Sequence, residues 1–388
     1  LGLIAVVANR DELASVMGHE LSHVSQRHLA RMQEQQGRQT PWLVGAMILG
    51  VLAASRSPDA ANAMIMGGTA SVAQGQLNFS RDMEREADRL GFNVLTQAGF
   101  EPQGMVGMFQ KLAQASRLND SGGFPYLRSH PLTTERLADM QSRIGVNLPS
   151  ASPTSLLHAM MAARARALMA TKVNEVQQLT LSLEQDLKPD TPLAKRVGLL
   201  YAGVMAYTQQ RQAAKARDAM TELLNITRED PEGQRAAQWL AADTERRLGD
   251  PAACVSKLAE QSSDRARLLL LAQCRLDQKQ SLAAQRASER LQIWLGQYPR
   301  DPLAWDLLAQ AHAQTGDPLR ALRAEAESRA VRWDEQGAID RLRAAQSLSK
   351  NLAKQGQLDR AGQMEASIID SRLRSLEALR RELLRPQN

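Results

Sequence analysis

The sequence His-Glu-Leu-Ser-His at residues 19–23 constrains this chain more than any other stretch. Residues four apart lie on one face of an α-helix, so His19 and His23 can each direct one ring nitrogen at the same ion. Glu20 follows the first histidine and can act as general base towards a water that the metal activates. The pattern therefore predicts the zinc-binding helix of a metallopeptidase. The alternative is a helix that happens to carry two of the chain's six histidines.

The metal helix is predicted over residues 11–35, with Asn9 or Asp11 as its N-cap, because negative charge and side-chain acceptors are favoured there. The apolar run at 3–8 predicts a short buried strand. Since this run reaches the metal helix almost at once, we expect that further chain, including any targeting segment, precedes Leu1.

The third ligand of the metzincin class of peptidases is excluded by spacing. That class requires Gly and His where this chain has Gln26 and Leu29. His28 is out of that register, and we interpret it as a helix-surface or second-layer histidine.

A second segment, residues 80–88, is predicted to open another helix. Glu84 and Asp88 share one of its faces, whereas Glu86 is rotated by about 200° from Glu84. A glutamate on a second helix can complete a His-His-Glu zinc site and leave the fourth position to water. Asp88 can then hold the outer nitrogen of a ligand histidine. The alternative is an exposed, charged helix start.

A third segment, residues 127–137, carries His130 and Arg136, with Thr133 or Thr134 as a helix cap. Both side chains could stabilise an oxyanion near the metal, or the segment could be only a capped helix after a loop. Residues 119–123 predict a flexible stretch ahead of His130. A neutral imidazole could therefore occupy the open metal position and keep the enzyme latent. The alternative is that His130 stabilises the transition state throughout.

Residues 41–79 predict a helical hairpin. The apolar run at 42–54 has 13 residues, fewer than the about 20 that a bilayer requires, and a second apolar segment covers 60–79. One interpretation is a core hairpin packed on the metal helix. The other is a loop that dips into a membrane surface or covers the active site.

The second half of the chain predicts helical repeats. Asp-Pro pairs begin at Asp230 and Asp301, 71 residues apart, and Gly-Asp-Pro begins at Gly249 and Gly316, 67 apart. Both spacings are near twice the tetratricopeptide period of about 34 residues, and residues 301–330 fit the repeat best. We therefore predict an α-solenoid of helix pairs, with a plain helical bundle as the alternative.

Length and composition predict two mainly helical domains. The chain has 388 residues and is rich in alanine, leucine, glutamine and arginine. A stretch rich in Gly, Pro and Ser separates a peptidase domain at 1–145 from a repeat domain at 154–388, with a linker at 146–153. Residues 1–150 carry equal numbers of basic and acidic residues, so the net charge of +6 belongs to the remainder. There it is scattered along helices, which argues against nucleic-acid binding.

The two cysteines, Cys254 and Cys274, fall on predicted antiparallel helices at 250–260 and 265–277, with a turn near 262–263. In an oxidising compartment they could form a disulfide. The alternative is two small buried apolar residues.

Together these segments resemble the beta-barrel assembly-enhancing proteases, periplasmic gluzincin metallopeptidases related to the CAAX prenyl proteases. The resemblance covers the whole chain in order. It implies a mainly α fold, in which an N-terminally truncated α+β gluzincin domain precedes tetratricopeptide-like helix pairs. It also implies these roles: zinc ligands His19, His23 and Glu84 for one ion, catalytic base Glu20, supporting carboxylate Asp88, latent fourth ligand His130, and Arg136 beside the catalytic centre.

The resemblance further implies a location and partners. The enzyme would act in the periplasm on misassembled outer-membrane β-barrel proteins and assist their assembly. The repeats would dock clients or the barrel-assembly machinery. The hairpin at 41–79 has a counterpart in the family, and peripheral contact of this hairpin with a membrane is one of its two interpretations. The competing function is that of a non-catalytic tetratricopeptide chaperone or adaptor. Glu20 argues against it, since an adaptor needs no base beside two histidines.

Overall fold

All regular secondary structure in the described part of the chain is α-helical. A computed structural model describes residues 1–54, 58–118, 130, 133–144, 153–258 and 264–384. This helical structure confirms the prediction of a mainly α fold, which the abundance of strong helix formers indicated.

The first compact unit comprises residues 1–173 and 189–198. Its helices α2, α4, α5 and α6 pack around one core, in which Val16, Leu95, Met105 and Met140 are buried. The helices up to residue 169 are α1 (Gly2–Val6), α2 (Arg10–Ser25), α3 (His28–Ala54), α4 (Pro58–Gln97), α5 (Gln103–Leu118), α6 (Thr134–Ile144) and α7 (Leu156–Met169).

The strand predicted at residues 3–8 is wrong, because Gly2–Val6 forms helix α1. The described residues contain no strand that could pair with this run, and an unpaired strand would leave its backbone groups without partners. The helix satisfies them locally. The carbonyl of Val7, which follows it, accepts a hydrogen bond of 2.9 Å from His158 on α7.

The metal helix is shorter than predicted. Helix α2 ends at Ser25, and α3 begins at His28. Between them Arg27 has a φ of 53°, in the left-handed region that no continuous α-helix contains. The break turns the chain, so that the imidazole of His28 returns against the end of α2.

Helices α3 and α4 form the predicted hairpin, since they pack against each other over much of their length. The prediction of a separate helix that opens at residue 80 is wrong, because α4 runs without interruption from Pro58 to Gln97. The change from apolar to charged sequence near Ser80 includes no glycine or proline, so nothing stops the helix there. None of the described helices combines the length and apolar character that crossing a membrane requires.

From Val173 onward the described chain is a succession of helices, and those from Ala213 onward pack mainly against their sequence neighbours. Four of these helices begin with an aspartate N-cap followed by proline, at Asp230, Asp250, Asp301 and Asp317. The helices are α8 (Val173–Asp186), α9 (Leu193–Gln209), α10 (Ala213–Ile226), α11 (Pro231–Leu248), α12 (Pro251–Ser256), α13 (Arg265–Asp277), α14 (Ser281–Gln297), α15 (Pro302–Gln314), α16 (Pro318–Val331), α17 (Glu335–Lys354) and α18 (Arg360–Leu383).

A disulfide joins Cys254 on α12 to Cys274 on α13, with the two Cα atoms 6.1 Å apart. Both cysteines are fully buried. Of the two alternatives that the sequence left open, the bonded one is present. Helix α12 is shorter than predicted, and the turn predicted near residues 262–263 lies outside the described residues.

The predicted domain boundaries at 145 and 154 remain predictions. The linker at 146–153 falls outside the described residues apart from Pro153. The second compact unit comprises residues 174–188 and those from 199 onward.

Candidate metal centre

Helix α2 carries the first three residues of the site. Asn9 caps it, with its side-chain oxygen accepting a hydrogen bond of 2.9 Å from the backbone N–H of Glu12. Of the two caps that the sequence allowed, Asn9 is therefore the one used. Nearly three and four turns after this cap, the helix presents His19 and His23, whose Nε2 atoms lie 3.0 Å apart.

Helix α4 brings a carboxylate against this pair. Glu84 is buried, and its Oε2 lies 3.4 Å from Nε2 of His19 while its Oε1 lies 3.4 Å from Nε2 of His23. The Nδ1 atom of His130 lies 3.0 Å from the same Oε1 and 3.4 Å from Nε2 of His19. These four side chains each offer one donor atom within 4.8 Å of the others and could hold a metal ion.

Asp88 lies behind the first histidine. Its Oδ1 is 2.9 Å from Nδ1 of His19, the ring nitrogen that faces away from the cluster. Glu84 and Asp88 share a face of α4 as the helical period requires, while Glu86 faces His28 and Arg31 instead.

Arg136, on α6, is buried against the two carboxylates. Its Nε and Nη2 atoms donate hydrogen bonds of 2.6 and 2.8 Å to the two oxygens of Asp88. Its Nη1 lies 3.0 Å from Oε2 of Glu84, and its guanidinium stacks over the ring of Phe109. Thr133 caps this helix through the backbone N–H of Arg136. Arg136 thus supports the carboxylates from within the protein.

The charges in this cluster are strongly coupled. Burial by itself lowers the pKa of His19, but hydrogen bonds and negative charge from Asp88 and Glu84 outweigh it and raise the pKa to about 9. Burial by itself raises the pKa of Glu84, yet hydrogen bonds from His130, His19 and His23 hold it well below its usual range. The carboxyl of Asp88 has a lowered pKa because Arg136 and His19 outweigh its burial. Both acids are therefore ionised.

Glu20 and His130 face each other at the more exposed side of the cluster. Nε2 of His130 lies 3.5 Å from Oε1 of Glu20, whose side chain is 44% exposed. The flexible stretch predicted at 119–123 lies outside the described residues, as does Pro131.

Three glycines that the sequence analysis passed over bring these helices together. A Cβ on Gly91 of α4 would lie 2.9 Å from the backbone nitrogen of His19, and one on Gly18 would lie 3.0 Å from the carbonyl oxygen of Gly91. A Cβ on Gly104 of α5 would overlap the carbonyl of Asp11. Isolated glycines inside helical patterns can signal such close approach, but they do not identify the partner helix.

Comparison with known proteins supports a peptidase. The model of peptidase family M48 matches residues 1–144. A beta-barrel assembly-enhancing protease of Yersinia pestis is 32% identical over 378 residues, covering 96% of this chain and 73% of the relative. The chain belongs to the beta-barrel assembly-enhancing protease family. It is a metallopeptidase.

Other relatives cover the chain to different extents. The beta-barrel assembly-enhancing protease of Escherichia coli strain K12 is 30% identical over 91% of this chain and 70% of its own length. The mitochondrial metalloendopeptidase OMA1 of Saccharomyces cerevisiae is 28% identical, but only over 36% of this chain and 38% of its own length. The similarity to the beta-barrel assembly-enhancing protease family therefore extends through the helical second half.

Proposed function

We propose that this chain binds one zinc ion through His19, His23 and Glu84. Two imidazoles and one carboxylate form a donor set typical of catalytic zinc. Bonds of about 2.0–2.2 Å in a tetrahedron separate neighbouring donors by about 3.3–3.6 Å. The two Nε2 atoms lie 3.0 Å apart, slightly closer than that, and Glu84 approaches His19 through Oε2 and His23 through Oε1, each at 3.4 Å. The convergence of these donors with His130 within 4.8 Å of one another is the observation that carries the proposal.

Glu20 is the proposed general base. Zinc, when bound, supplies Lewis acidity that polarises a substrate carbonyl and lowers the pKa of water. Glu20 is adjacent to His19 on α2, and its carboxylate is exposed enough to meet solvent and substrate. It would take a proton from the attacking water and later return it to the leaving amine.

Asp88 and Arg136 are proposed as positioning residues. Asp88 lies 2.9 Å from Nδ1 of His19, where it would take the Nδ1 proton and so fix Nε2 towards the ion. Arg136 holds both oxygens of Asp88 and also contacts Glu84, so it fixes two carboxylates at once. This role differs from the oxyanion stabilisation considered from the sequence, since the guanidinium is buried and engaged by carboxylates.

His130 is proposed as a fourth ligand in a latent state. Its Nδ1 is close to two of the three ligand side chains, and its Nε2 approaches Glu20. In this position His130 would exclude the attacking water, and its contact with Glu20 would keep that carboxylate from acting as a base. Withdrawal of His130 would free both, and the imidazole could then contact the substrate.

The proposed substrates are unfolded or misassembled outer-membrane β-barrel proteins, in the periplasm. Family membership supports this, because the names of the relatives from Yersinia pestis and Escherichia coli state a role in barrel assembly. The helical second half, proposed to be tetratricopeptide-like repeats, would dock clients or the barrel-assembly machinery and so assist assembly. Helices α15 and α16 support the repeat assignment, with Ala309 and Ala321 buried and Gly316 at φ 78° in the turn.

The hairpin of α3 and α4 is proposed to touch a membrane surface. Several apolar side chains near the end of α3 are exposed, namely Val44, Met47, Ile48 and Leu49. Flotation of the protein with vesicles of phospholipid tests this. A variant with Met47 and Ile48 replaced by serine should lose flotation, and equal flotation of the variant would contradict the contact.

One experiment separates the peptidase from the alternative, a non-catalytic adaptor. The purified protein is analysed for zinc and incubated with an unfolded outer-membrane β-barrel protein before chelation, after chelation, and after zinc is restored. A peptidase should cleave the client, lose cleavage on chelation, and recover it with zinc. Client binding without cleavage in a protein that carries one zinc would favour the adaptor.

A further inference from the structure

The break between α2 and α3 turns a third histidine back into the site. His28, the first residue of α3, is only 2% exposed. Its Nδ1 lies 2.9 Å from Nδ1 of His23, the nitrogen of the second ligand that faces away from the cluster. His28 is therefore behind a ligand and cannot itself reach the ion.

The other nitrogen of His28 is held by an acid. Its Nε2 lies 3.2 Å from Oε2 of Glu86, and Arg31 donates a hydrogen bond of 2.8 Å to the same oxygen. Glu86 follows Glu84 by two residues on α4 and so faces a different direction. Helix α4 thus supplies one carboxylate, that of Glu84, to the front of the cluster and a second, that of Glu86, to its back.

His23, His28 and Glu86 form a row of contacts, and their protons can be arranged in one consistent way. If His23 binds an ion through Nε2, its Nδ1 carries the proton and donates to Nδ1 of His28. His28 is then neutral, with its proton on Nε2, and donates that proton to the carboxylate of Glu86. If His28 were cationic, its Nδ1–H would point at the Nδ1–H of His23 across 2.9 Å, and the two N–H groups would repel each other. Every contact in the row is satisfied only in the neutral arrangement.

The two histidine ligands are supported differently. His19 has a carboxylate, Asp88, directly on its outer nitrogen. His23 reaches a carboxylate only through an intervening imidazole. Both arrangements fix the tautomer of the ligand and raise its basicity, which is how second-layer groups tune a metal site.

We propose that His28 and Glu86 form a positioning relay that orients His23 towards the metal. This inference rests on the proposed zinc site. It assigns a function to the turn at Arg27, which brings His28 to the end of α2, and to Glu86, which the proposed mechanism otherwise does not use. Neither residue touches the substrate or the ion.

Zinc affinity of the purified full chain, measured by competition with a chromophoric chelator, tests the relay. His28→Phe keeps a ring of similar shape but removes both nitrogens, and we expect zinc affinity to fall about 10- to 100-fold. His28→Asn restores an acceptor near the position of Nδ1, so it should recover much of that loss. The thermal midpoint of the metal-free proteins is measured in parallel, because a purely structural role would lower it without any rescue of zinc affinity by asparagine.

Glu86→Gln tests the far end of the relay without changing a buried side chain. We expect it to weaken zinc binding several-fold, and Asp82→Asn, an exposed acid one turn earlier on α4, to leave zinc binding unchanged. Wild-type affinity in both His28→Phe and Glu86→Gln would overturn the relay, as would equal effects of Glu86→Gln and Asp82→Asn. If His28→Phe does not fold, the comparison of Glu86→Gln with Asp82→Asn decides alone. Absence of zinc from the wild-type protein would refute the metal site itself.

Discussion

Single residues in this site act in pairs, and the buried pair of Arg136 with Asp88 is the strongest example. The guanidinium contacts Asp88 through two hydrogen bonds and Glu84 through a third contact, all away from solvent. Removing one partner of such a pair leaves the others charged and uncompensated inside the protein.

Arg136→Met should therefore destabilise the metal-free protein by about 3–5 kcal/mol, because Asp88 and Glu84 lose their common cation. Urea unfolding followed by circular dichroism measures the change. Arg143→Met is the matched control on the same helix, since it breaks only an exposed pair with Asp139. It should cost less than about 1 kcal/mol. Equal losses in the two variants would show that Arg136 does not compensate the buried acids.

The contacts of His130 predict the effect of removing it. If the imidazole holds the enzyme latent, His130→Ala opens the fourth metal position and releases Glu20, so basal cleavage of a loosely folded client should rise. If His130 only stabilises the transition state, cleavage should fall. The measurement is the initial rate of casein digestion at equal zinc content. A clear fall with zinc still bound would rule out latency.

At the residue scale, the convergence of His19, His23 and Glu84 and the place of Asp88 behind His19 were predictable from the sequence. The contact of His28 with His23 was not, since the sequence left His28 as either a helix-surface or a second-layer histidine. The spacing of His19 and His23, and the phase of Glu84 relative to Glu86, follow from the helical repeat. The return of His28 depends on a left-handed residue, Arg27, at a place where the sequence has no glycine to mark it. His28 there contacts Glu86, which lies 58 residues further along the chain, so local pattern could not reveal the contact.

Helices α2 and α4 cross at two glycines, and this crossing sets the distance between the ligands that each helix carries. Gly91→Ala would push a methyl group against the backbone of His19. We expect a loss of about 1–3 kcal/mol in stability, as for other overpacked cores, and weaker zinc binding because His19 and Glu84 move apart. Thermal unfolding and chelator competition measure the two effects.

Gly67→Ala is the control for that substitution on the same helix. Its Cβ would meet nothing within 4 Å, so only helix propensity changes. We expect a gain of up to about 1 kcal/mol and unchanged zinc affinity. If Gly91→Ala and Gly67→Ala had the same thermal stability and zinc affinity, the close approach of the two helices would not set the ligand geometry.

In the second half of the chain, Asp301 caps helix α15 and should make the stability of the fold depend on pH. Asp301 is buried, which by itself raises its pKa, but hydrogen bonds from Arg265, Trp294 and Ala304 outweigh burial and lower it. A lowered pKa in the folded state means that ionised Asp301 stabilises the fold above its unfolded pKa of about 3.9. That contribution is lost as the pH falls through the folded pKa.

Asp301→Asn keeps a capping side chain but removes the titration. The stability difference between wild type and Asp301→Asn should be largest near pH 6 and shrink as the pH falls below about 4. Urea midpoints at several pH values measure it, with Asp317→Asn, a more exposed cap, as the control. A difference that stays constant with pH would contradict this account.

At the element scale, the sequence predicted helix type better than helix ends. The hairpin of α3 and α4 follows from its apolar pattern, and the aspartate caps with proline after them mark helix starts such as Pro302. The strand expected at residues 3–8 failed because its apolar run was too short to distinguish helix from strand. Its conformation depends on α7, which lies about 150 residues further along the chain and contacts it.

Across the whole molecule, a peptidase unit and a long helical region share one chain, and the family relationship extends over both. The proposed function depends on one chemical centre, in which His19, His23 and Glu84 would hold zinc and Glu20 would move the proton. The proposed clients, the repeats and the latency of His130 all depend on that centre being active. A test of Glu20 therefore tests the account most directly.

Glu20→Gln keeps the size of the side chain but removes its ability to accept a proton. Zinc content and cleavage of an unfolded outer-membrane β-barrel protein are measured on wild type and Glu20→Gln prepared in parallel. The account predicts one zinc per chain in both proteins and a loss of cleavage of about 10²- to 10⁴-fold in the variant. One zinc in both proteins with equal rates of cleavage would contradict it.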